Sequence, residues 1–375
     1  MKNLKVQYKL IIYVLLFLNT FNILNAKNTD EFYESKNVTN YFSGILAANN
    51  NQYQKSYDYF KYLSNLEDIH YVYSQYYHYS LVALNKFKDA INYSKKLEKK
   101  KIDNFESNLI SAVYYLEHKD FDKASVYSEK LKNKSQPGSI QNFLSASLNN
   151  WVNFKNTKNL NTALFQLEDI PKKFENLKNI QKIFAHCYFD SDQTDKLFKR
   201  LASRSDIDYS RYFFFHANYL ISKNKGGKAK KILETSLNLH PKNLILNQLK
   251  IDIKQREAFK NQFDCKDPRH VVAEIFYVVA NGLASQQDYT TANFYLNLAK
   301  YLNPNFISFK TLQAEIFFII NKHNEAEKIY LNMQKYGSFY SWHASRQLTS
   351  ILIKQEKKKE AVSFLEKSFQ KIKNP

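Results

Sequence analysis

Glycine and proline are scarce in this chain, with 6 of each among 375 residues. These residues supply the tight turns that an all-β protein needs at short intervals, so their scarcity argues against a sandwich or a barrel. The glycines also lack the spacing of a phosphate-binding loop, which excludes the common nucleotide-binding fingerprints. Long helices joined by short polar turns are therefore the expected structure.

Cysteine is rarer still, and the two cysteines, Cys187 and Cys265, cannot form a paired-cysteine zinc signature. Cys265, Asp267 and His270 are close enough in sequence to supply metal ligands. A stable site needs three or four rigid ligands, and no second cluster contributes to this one, so no metal is expected. An oxidising compartment would permit a disulfide between the cysteines, and a buried free thiol at Cys187 is the alternative.

Catalytic motifs are absent as well. The chain has no nucleophile elbow, and His186 and Cys187, as neighbours on a helix, would point in different directions. His186 and Asp190 are spaced as a stabilising pair on one helix face. We therefore expect a protein that is not an enzyme and has no cofactor. An envelope hydrolase with acids and histidines drawn from distant units is an alternative that no motif supports.

Acidic residues are outnumbered, at 35 against 55 Lys and Arg, which gives a net charge of +20. Such a charge is typical of proteins that bind nucleic acid, lipid headgroups or anionic polysaccharide. The lysines are spread along the chain beside abundant Asn, Ile, Tyr and Phe, which favours a codon bias over a basic binding face. No nucleic acid partner is expected, and a weak contact with anionic lipid or polysaccharide stays open.

A short apolar run, residues 10–18, follows Lys2, Lys5 and Lys9, and Asn25-Ala26 offers a cleavage site after it. The run is shorter than the roughly 20 residues that span a bilayer. The pattern predicts a signal peptide at residues 1–26, a flexible leader at 27–36 and export to the periplasm. If the signal stayed uncleaved, it would tether the protein to the inner membrane.

Aromatic residues are plentiful, with 29 Phe and 28 Tyr, which is too much apolar mass for a disordered chain. Small residues also recur at steps of 34 or 35. They are Ser56, Ala90 and Ala124 in the first half, and Ala292, Ala326 and Ala361 near the end. This period predicts helix-turn-helix repeats, with a small side chain where two helices cross closely.

These residues resemble tetratricopeptide repeats (TPR). The matching pieces include Ala217-Leu220 with Ala229-Leu233-Ser236-Pro241, and Ala280-Leu283 with Tyr289-Ala292-Leu296-Ala299-Pro304. The resemblance covers residues 37–134 and 207–373. It implies an all-α, right-handed superhelical solenoid of antiparallel helix pairs, with about eight to nine hairpins. With the signal, the chain is similar to exported alphaproteobacterial TPR proteins.

The repeats divide the chain into segments. Residues 37–243 hold the N-terminal and central repeats, which are degenerate at 137–205. Residues 244–270 form an irregular connection with one helix, and residues 271–375 hold the C-terminal repeats. The hairpin at about residues 180–202 matches the repeat only weakly. Where the other repeats have a small residue, it has Lys196 or Leu197.

In this family the first helix of each hairpin lines a concave groove, which implies that a peptide or helix of another envelope protein binds there. Carried over, the groove residues are Tyr41, Ile45, Gln75, Tyr79, Arg211, Phe214, Asn218, Tyr277, Asn281, Glu315, His343 and Arg346, with Leu109 and Val113 between them. Asn218 and Asn281 match the asparagines with which some relatives hold a C-terminal carboxylate. At the neighbouring positions, where those relatives have Lys or Arg, this chain has Phe214 and Tyr277. A carboxylate clamp is therefore not expected here.

A second interpretation is a structural subunit of an envelope assembly, held by flat solenoid surfaces and not by a bound peptide. No polar capping helix follows the last repeat, and repeat stacks usually need one for solubility. We therefore expect the apolar side chains of Phe364, Leu365 and Phe369 to be partly exposed, or to be covered by self-association or a partner.

Overall fold

A computed structural model describes residues 35–63, 66–68, 70–202, 209–255 and 262–372. The regular structure within these ranges is helical without a strand, which confirms the all-α prediction. The signal segment 1–26 lies outside the described residues, as does residue range 27–34 of the leader, whereas residues 35–36 begin the first helix. Within the same ranges, every helix falls short of the length and hydropathy needed to cross a bilayer.

The chain divides into two compact units, residues 1–80 and 81–375. Unit 1 contains α1 (Ser35–Asn49), α2 (Tyr53–Phe60) and most of α3 (Tyr71–Ala83). Helices α1 and α2 form a hairpin in which the Phe60 ring lies so close to Gly44 that a Cβ there would overlap it. Ser56 is fully buried in the same hairpin and accepts a 2.8 Å hydrogen bond from Ser80. A small residue at each of these points lets the helices approach closely.

Unit 2 contains sixteen further helices in its described residues. They are α4 (Phe87–Lys99), α5 (Phe105–Glu117), α6 (Phe121–Lys132), α7 (Ile140–Asn153), α8 (Leu160–Gln166), α9 (Glu175–Tyr188), α10 (Thr194–Ala202), α11 (Ser210–Ser222), α12 (Gly226–Leu239), α13 (Leu244–Gln255), α14 (Pro268–Ser285), α15 (Tyr289–Leu302), α16 (Ile307–Ile319), α17 (His323–Met333), α18 (Ser338–Lys354) and α19 (Lys358–Ile372). Short 3-10 turns at Phe154–Asn156, Leu167–Asp169 and Lys172–Phe174 interrupt the region where the repeat period slips.

One turn geometry joins the two helices of most hairpins. At the end of α5, Lys119 adopts a left-handed φ of 58°, and the next amide, of Asp120, donates a 2.9 Å hydrogen bond to the Tyr115 carbonyl. This bond is the six-to-one bond of a Schellman motif, which satisfies carbonyls left free at a helix C-terminus. The same left-handed residue occurs at Asn51, Asn85, Lys119, Asp190, Asn224, Gln287, Asn321 and Glu356.

The small residues predicted from the period are confirmed as packing points. In seven hairpins a small residue follows the left-handed turn residue by five positions. Their exposed fractions are 0% at Ser56, Ala90, Ala124, Ala229, Ala292 and Ala326, and 1% at Ala361. The left-handed turn residue and the buried small residue five positions later therefore recur together as one local motif. Unit 2 has a TPR-like arrangement of successive helix pairs.

The hairpin of α9 and α10 departs from this spacing. Asp195 stands five positions after the left-handed Asp190, but its side chain is 26% exposed, whereas the preceding Thr194 is 0% exposed. The buried packing position is therefore Thr194 and not Lys196 or Leu197 as predicted. The Asp195 carboxylate lies 2.7 Å from His216 of α11.

Unit 2 closes on itself through α14 and α15. Helix α14 packs against α7, and α15 packs against α5. Tyr301 of α15 stacks on Phe87 with ring centroids 3.6 Å apart, and Arg269 lies 3.5 Å from Glu117. Leu109 and Val113, predicted to line an open groove, are 0% exposed. The reason is that α14 and α15 cover them, and these two helices are themselves buried along most of their length, including the polar side chains of Glu274 and Asn293.

The connection between α13 and α14 belongs to the core. Phe263 is 3% exposed and its ring lies 4.5 Å from the ring of Phe215 and 5.1 Å from that of Phe184. Cys265 follows it and forms a disulfide with Cys187 of α9. The irregular segment predicted at 244–270 is thus a packed insertion within its described residues, which exclude 256–261.

Candidate functional site

The predicted groove residues of unit 1 are largely internal. Tyr41 and Tyr79 are 8% and 5% exposed, and Ile45 and Gln75 are half-buried. The Tyr41 ring lies 5.1 Å from the His70 ring. Gln75 donates a 3.4 Å hydrogen bond to the Tyr79 hydroxyl. Tyr41 and Tyr79 are thus packing residues, and Ile45 and Gln75 retain some accessible surface.

In unit 2 the predicted groove residue Arg211 is bound by the chain itself. Its guanidinium donates two 2.7 Å hydrogen bonds to Glu274 of α14, whose side chain is 1% exposed. The guanidinium also lies 4.0 Å from the Tyr277 ring centroid and 4.8 Å from that of Phe306. Burial opposes the charged form, but the attraction of Glu274 outweighs it and raises the pKa of Arg211. Arg211 therefore joins α11 to α14.

Phe214 and Asn218, the next two predicted residues on α11, are also internal contacts and do not line a groove. Phe214 is 1% exposed and stacks on Phe306 with centroids 5.6 Å apart. Asn218 is 4% exposed and donates a 2.6 Å hydrogen bond to the Phe263 carbonyl. Phe263 and Phe306 fill the space in front of both residues, because these aromatic side chains must themselves be buried.

The remaining five predicted residues lie on the first helices of the last three hairpins. Tyr277 on α14, Glu315 on α16 and His343 on α18 are half-buried, and Asn281 and Arg346 are exposed. We call these five residues the C-terminal face. The structure therefore keeps this part of the predicted set accessible, although it buries the part on α11.

Glu315 is the most unusual group of the C-terminal face. No hydrogen bond or ion pair from the described residues reaches its carboxylate. Burial raises the pKa of Glu315, and its negative charge contributes to the raised pKa of Tyr330. A half-buried carboxylate without a counter-charge is unfavourable by itself, and a bound cation would compensate it.

Three more polar atoms near the C-terminal face lack partners among the described residues. They are the hydroxyls of Tyr330 and Tyr340 and the Nε2 atom of His343. The rings of Tyr330 and His343 are 6.1 Å apart. Burial and the charge of Arg346 lower the pKa of His343, so its imidazole is neutral near neutral pH. Each unsatisfied buried group costs about 1–3 kcal/mol. Tyr330 and Tyr340 are 0% and 1% exposed, so these hydroxyls belong to the interior beneath the face and not to its accessible surface.

Tyr330 and Tyr340 were not among the predicted site residues. Tyr330 lies on the second helix of its hairpin, four residues after the small residue Ala326, and the family resemblance directs attention to first helices. The helical spacing from Ala326 places Tyr330 on the inward side of α17, which is a signal that the sequence carries. Its missing hydrogen-bond partner becomes visible in the tertiary structure alone.

The cysteine and histidine clusters serve the fold. Cys265 is bonded to Cys187, Asp267 binds Arg269 at 2.5 Å, and the Nδ1 atom of His270 accepts a 2.9 Å hydrogen bond from the Asp264 amide. In the described part of the chain, no group of three or more His, Cys, Asp and Glu side chains is placed to hold a metal ion.

The predicted pair of His186 and Asp190 does not form. The Nδ1 atom of His186 lies 2.9 Å from the hydroxyl of Ser191. Asp190 occupies the left-handed turn position and pairs instead with Lys223 and Lys266. The prediction assumed that the helix continues through residue 190, whereas α9 ends at Tyr188.

No protein-family model matches the chain, and no curated protein matches it. Among solved structures, it is similar to yeast Tom70, at 14% identity, covering 88% of this chain and 91% of that chain, with a TM-score of 0.24. A monomeric mutant of IFIT1 with Gppp-AAAA is 12% identical, with coverage of 88% of this chain and 77% of that chain and a TM-score of 0.28. TM-scores this low carry no argument about function.

Proposed function

We propose that this chain is a non-catalytic scaffold of the cell envelope that binds a basic segment of another protein at its C-terminal face. The carrying observation is Glu315, a half-buried carboxylate without a partner among the described residues. Tyr277 is half-buried on the neighbouring first helix, and its ring already lies 4.0 Å from the Arg211 guanidinium. A Lys or Arg side chain of a partner would gain an ion pair with the Glu315 carboxylate.

The exposed residues of the face favour a peptide over a small cation. Asn281 offers an amide that can bind backbone groups, and Arg346 can bind an acidic side chain or carbonyl beside the basic one. Residues on successive first helices can contact an extended segment or one helix face at several points. Binding to Glu315 alone would be weak, and the additional contacts would set the orientation of the segment.

Selection of random peptides displayed on phage tests the proposal with the purified chain. We expect the wild type to enrich peptides with Lys or Arg, and Glu315→Gln to reduce their affinity by about tenfold, as expected for the loss of one partly buried charge pair. Glu325→Gln is the matched control because Glu325 is exposed on α17. Peptides without basic residues, or equal affinity for the Glu315→Gln variant, would contradict the proposal.

The envelope location rests on two observations. The N-terminal segment has the charge and apolar pattern of a signal, and Cys187 and Cys265 form a disulfide, which is typical of oxidising compartments. Cell fractionation, with thiol alkylation before and after reduction, tests this part. We expect the chain outside the cytoplasm with both thiols blocked until reduction, and free thiols in the native protein would count against it.

A structural subunit remains the second candidate, because the last hairpin leaves apolar side chains in solvent. Phe369 and Val362 on α19 are 52% and 58% exposed, Ile353 on α18 is 50% exposed, and Phe364 and Leu365 are half-buried. These exposed side chains support the expectation that self-association or a partner covers this end. We expect Phe369→Asp to abolish any concentration-dependent association in sedimentation experiments, and an unchanged sedimentation profile for a self-associating wild type would reject this interface.

A further inference from the structure

A cavity of about 590 Å³ lies between α10, α11 and α12, on helices that the C-terminal face does not use. Its volume falls in the range of roughly 300–1,000 Å³ that is typical of pockets for small organic ligands. Phe213, Ile232 and Leu239 supply its apolar wall. The Leu239 side chain is 66% exposed beside it, so an apolar group bound in the cavity would remove this side chain from water.

The floor of the cavity is polar but internally satisfied. His216 is 1% exposed and lies 2.7 Å from one carboxylate oxygen of Asp195. Lys199 binds the other oxygen at 3.1 Å. The ring of Phe198 stacks on the His216 ring with centroids 5.2 Å apart, which holds the imidazole in place. The floor therefore has a fixed shape, and its charges are compensated within the protein.

The rim is different, because its charge is not compensated. Lys228 and Lys231 line the cavity three residues apart on α12, and both are exposed. No carboxylate of the described residues forms an ion pair with either of them, whereas the neighbouring Lys230 lies 4.0 Å from Glu234. An anionic group at the mouth would lie beside two positive charges, and a cationic group would be repelled.

We propose that this cavity binds a long-chain carboxylic acid, with the chain among Phe213, Ile232 and Leu239 and the carboxylate at Lys228 and Lys231. An apolar chamber with two cations at its mouth matches an amphiphile with one anionic head group. The volume suits one acyl chain better than the two chains of a bilayer phospholipid. This inference does not depend on the peptide site, since the two sets of residues are separate.

Calorimetric titration of the purified full-length chain with dodecanoate tests the proposal. We expect saturable binding of one dodecanoate, and about tenfold weaker binding of decanoate, since decanoate buries two fewer methylene groups. Dodecanol, which lacks the charge, is expected to bind at least about tenfold more weakly. Absence of binding, or equal affinities for dodecanoate and dodecanol, would overturn the proposal. Tighter binding of dodecyl phosphate than of dodecanoate would overturn the assignment of a carboxylate.

Charge reversal localises the binding. Lys228→Glu combined with Lys231→Glu should weaken dodecanoate binding by at least about tenfold. Lys230→Glu combined with Lys242→Glu makes the same change of charge at residues that do not line the cavity, and should leave the affinity unchanged. Thr235→Trp fills the chamber from its exposed edge and should prevent binding with the helical circular dichroism preserved. Equal affinities in all variants would show binding elsewhere and overturn the assignment.

Discussion

Arg211 is a residue type suited to ligand binding, but here it forms an ion pair within the protein. Its two hydrogen bonds to Glu274 connect residues 63 positions apart, and three aromatic rings cover the guanidinium. A buried ion pair is not by itself strong evidence of stability, because both charges lose hydration. Removing one partner is nevertheless costly, because the other charge stays buried alone.

The first residue-scale prediction concerns this pair. We expect Arg211→Met to lower the free energy of unfolding by about 3–5 kcal/mol, because Glu274 is then left without its partner. The double variant Arg211→Met with Glu274→Leu should recover most of that loss. Urea denaturation of both single variants and of the double variant measures the coupling, and strictly additive losses would contradict the buried-pair interpretation.

The second residue-scale prediction concerns pH and His78, which is 0% exposed. Burial lowers the pKa of His78 to about 3, although a backbone hydrogen bond at Ser74 opposes the shift. Below a pH of about 6.5 the unfolded chain therefore binds a proton that the folded chain does not, so this residue makes stability fall as the pH falls.

Between about pH 7 and pH 5, we expect the wild type to lose about 2 kcal/mol more than His78→Asn loses. Denaturation curves at the two pH values measure the difference for each protein, which removes the unequal stability of the variants at neutral pH. Equal losses in the two proteins would show that the imidazole is protonated in the folded state.

At the scale of the element, the hairpin turn is the repeated unit. Lys119 is one of the non-glycine residues that adopt left-handed φ, a conformation that costs such residues roughly 1 kcal/mol. Lys119→Gly should therefore raise the free energy of unfolding by about 0.5–1 kcal/mol. Thermal unfolding compared with Val126→Gly, within the adjacent α6, provides the contrast, because glycine inside a helix should destabilise it by about 0.5 kcal/mol. A loss of stability in both variants would reject the turn assignment.

At the scale of the whole molecule, each unit has to be considered by itself, and unit 2 departs from an open repeat stack. In an open stack each repeat contacts its neighbours in sequence. Here α15 contacts α5, and α14 contacts α7. The stack of Phe87 on Tyr301 tests this closure. A double-mutant cycle with Phe87→Leu and Tyr301→Leu should give a coupling energy of about 1 kcal/mol, and no coupling would mean that the two rings do not meet in solution.

The disulfide is a covalent link between two distant parts of unit 2. Cys187 and Cys265 are 78 residues apart in sequence, so the bond restricts a long loop of the unfolded chain. Replacing both with Ser should lower the free energy of unfolding by about 4 kcal/mol. Denaturation of the wild type with and without reductant measures the same quantity independently, and a loss in the variant that reductant does not reproduce would point to altered packing at the two sites.

The sequence by itself determined the helical class, the period of 34 and the packing points at Ser56, Ala90 and the later alanines, because turns and buried small residues act over a few residues. It also located the half-buried Glu315 and His343 on first helices. Only the tertiary structure decided that Phe214 and Asn218 are core residues and that Cys187 meets Cys265. Those outcomes depend on which distant surfaces cover each other in the folded chain, and a pattern of residues close in sequence does not specify those pairings.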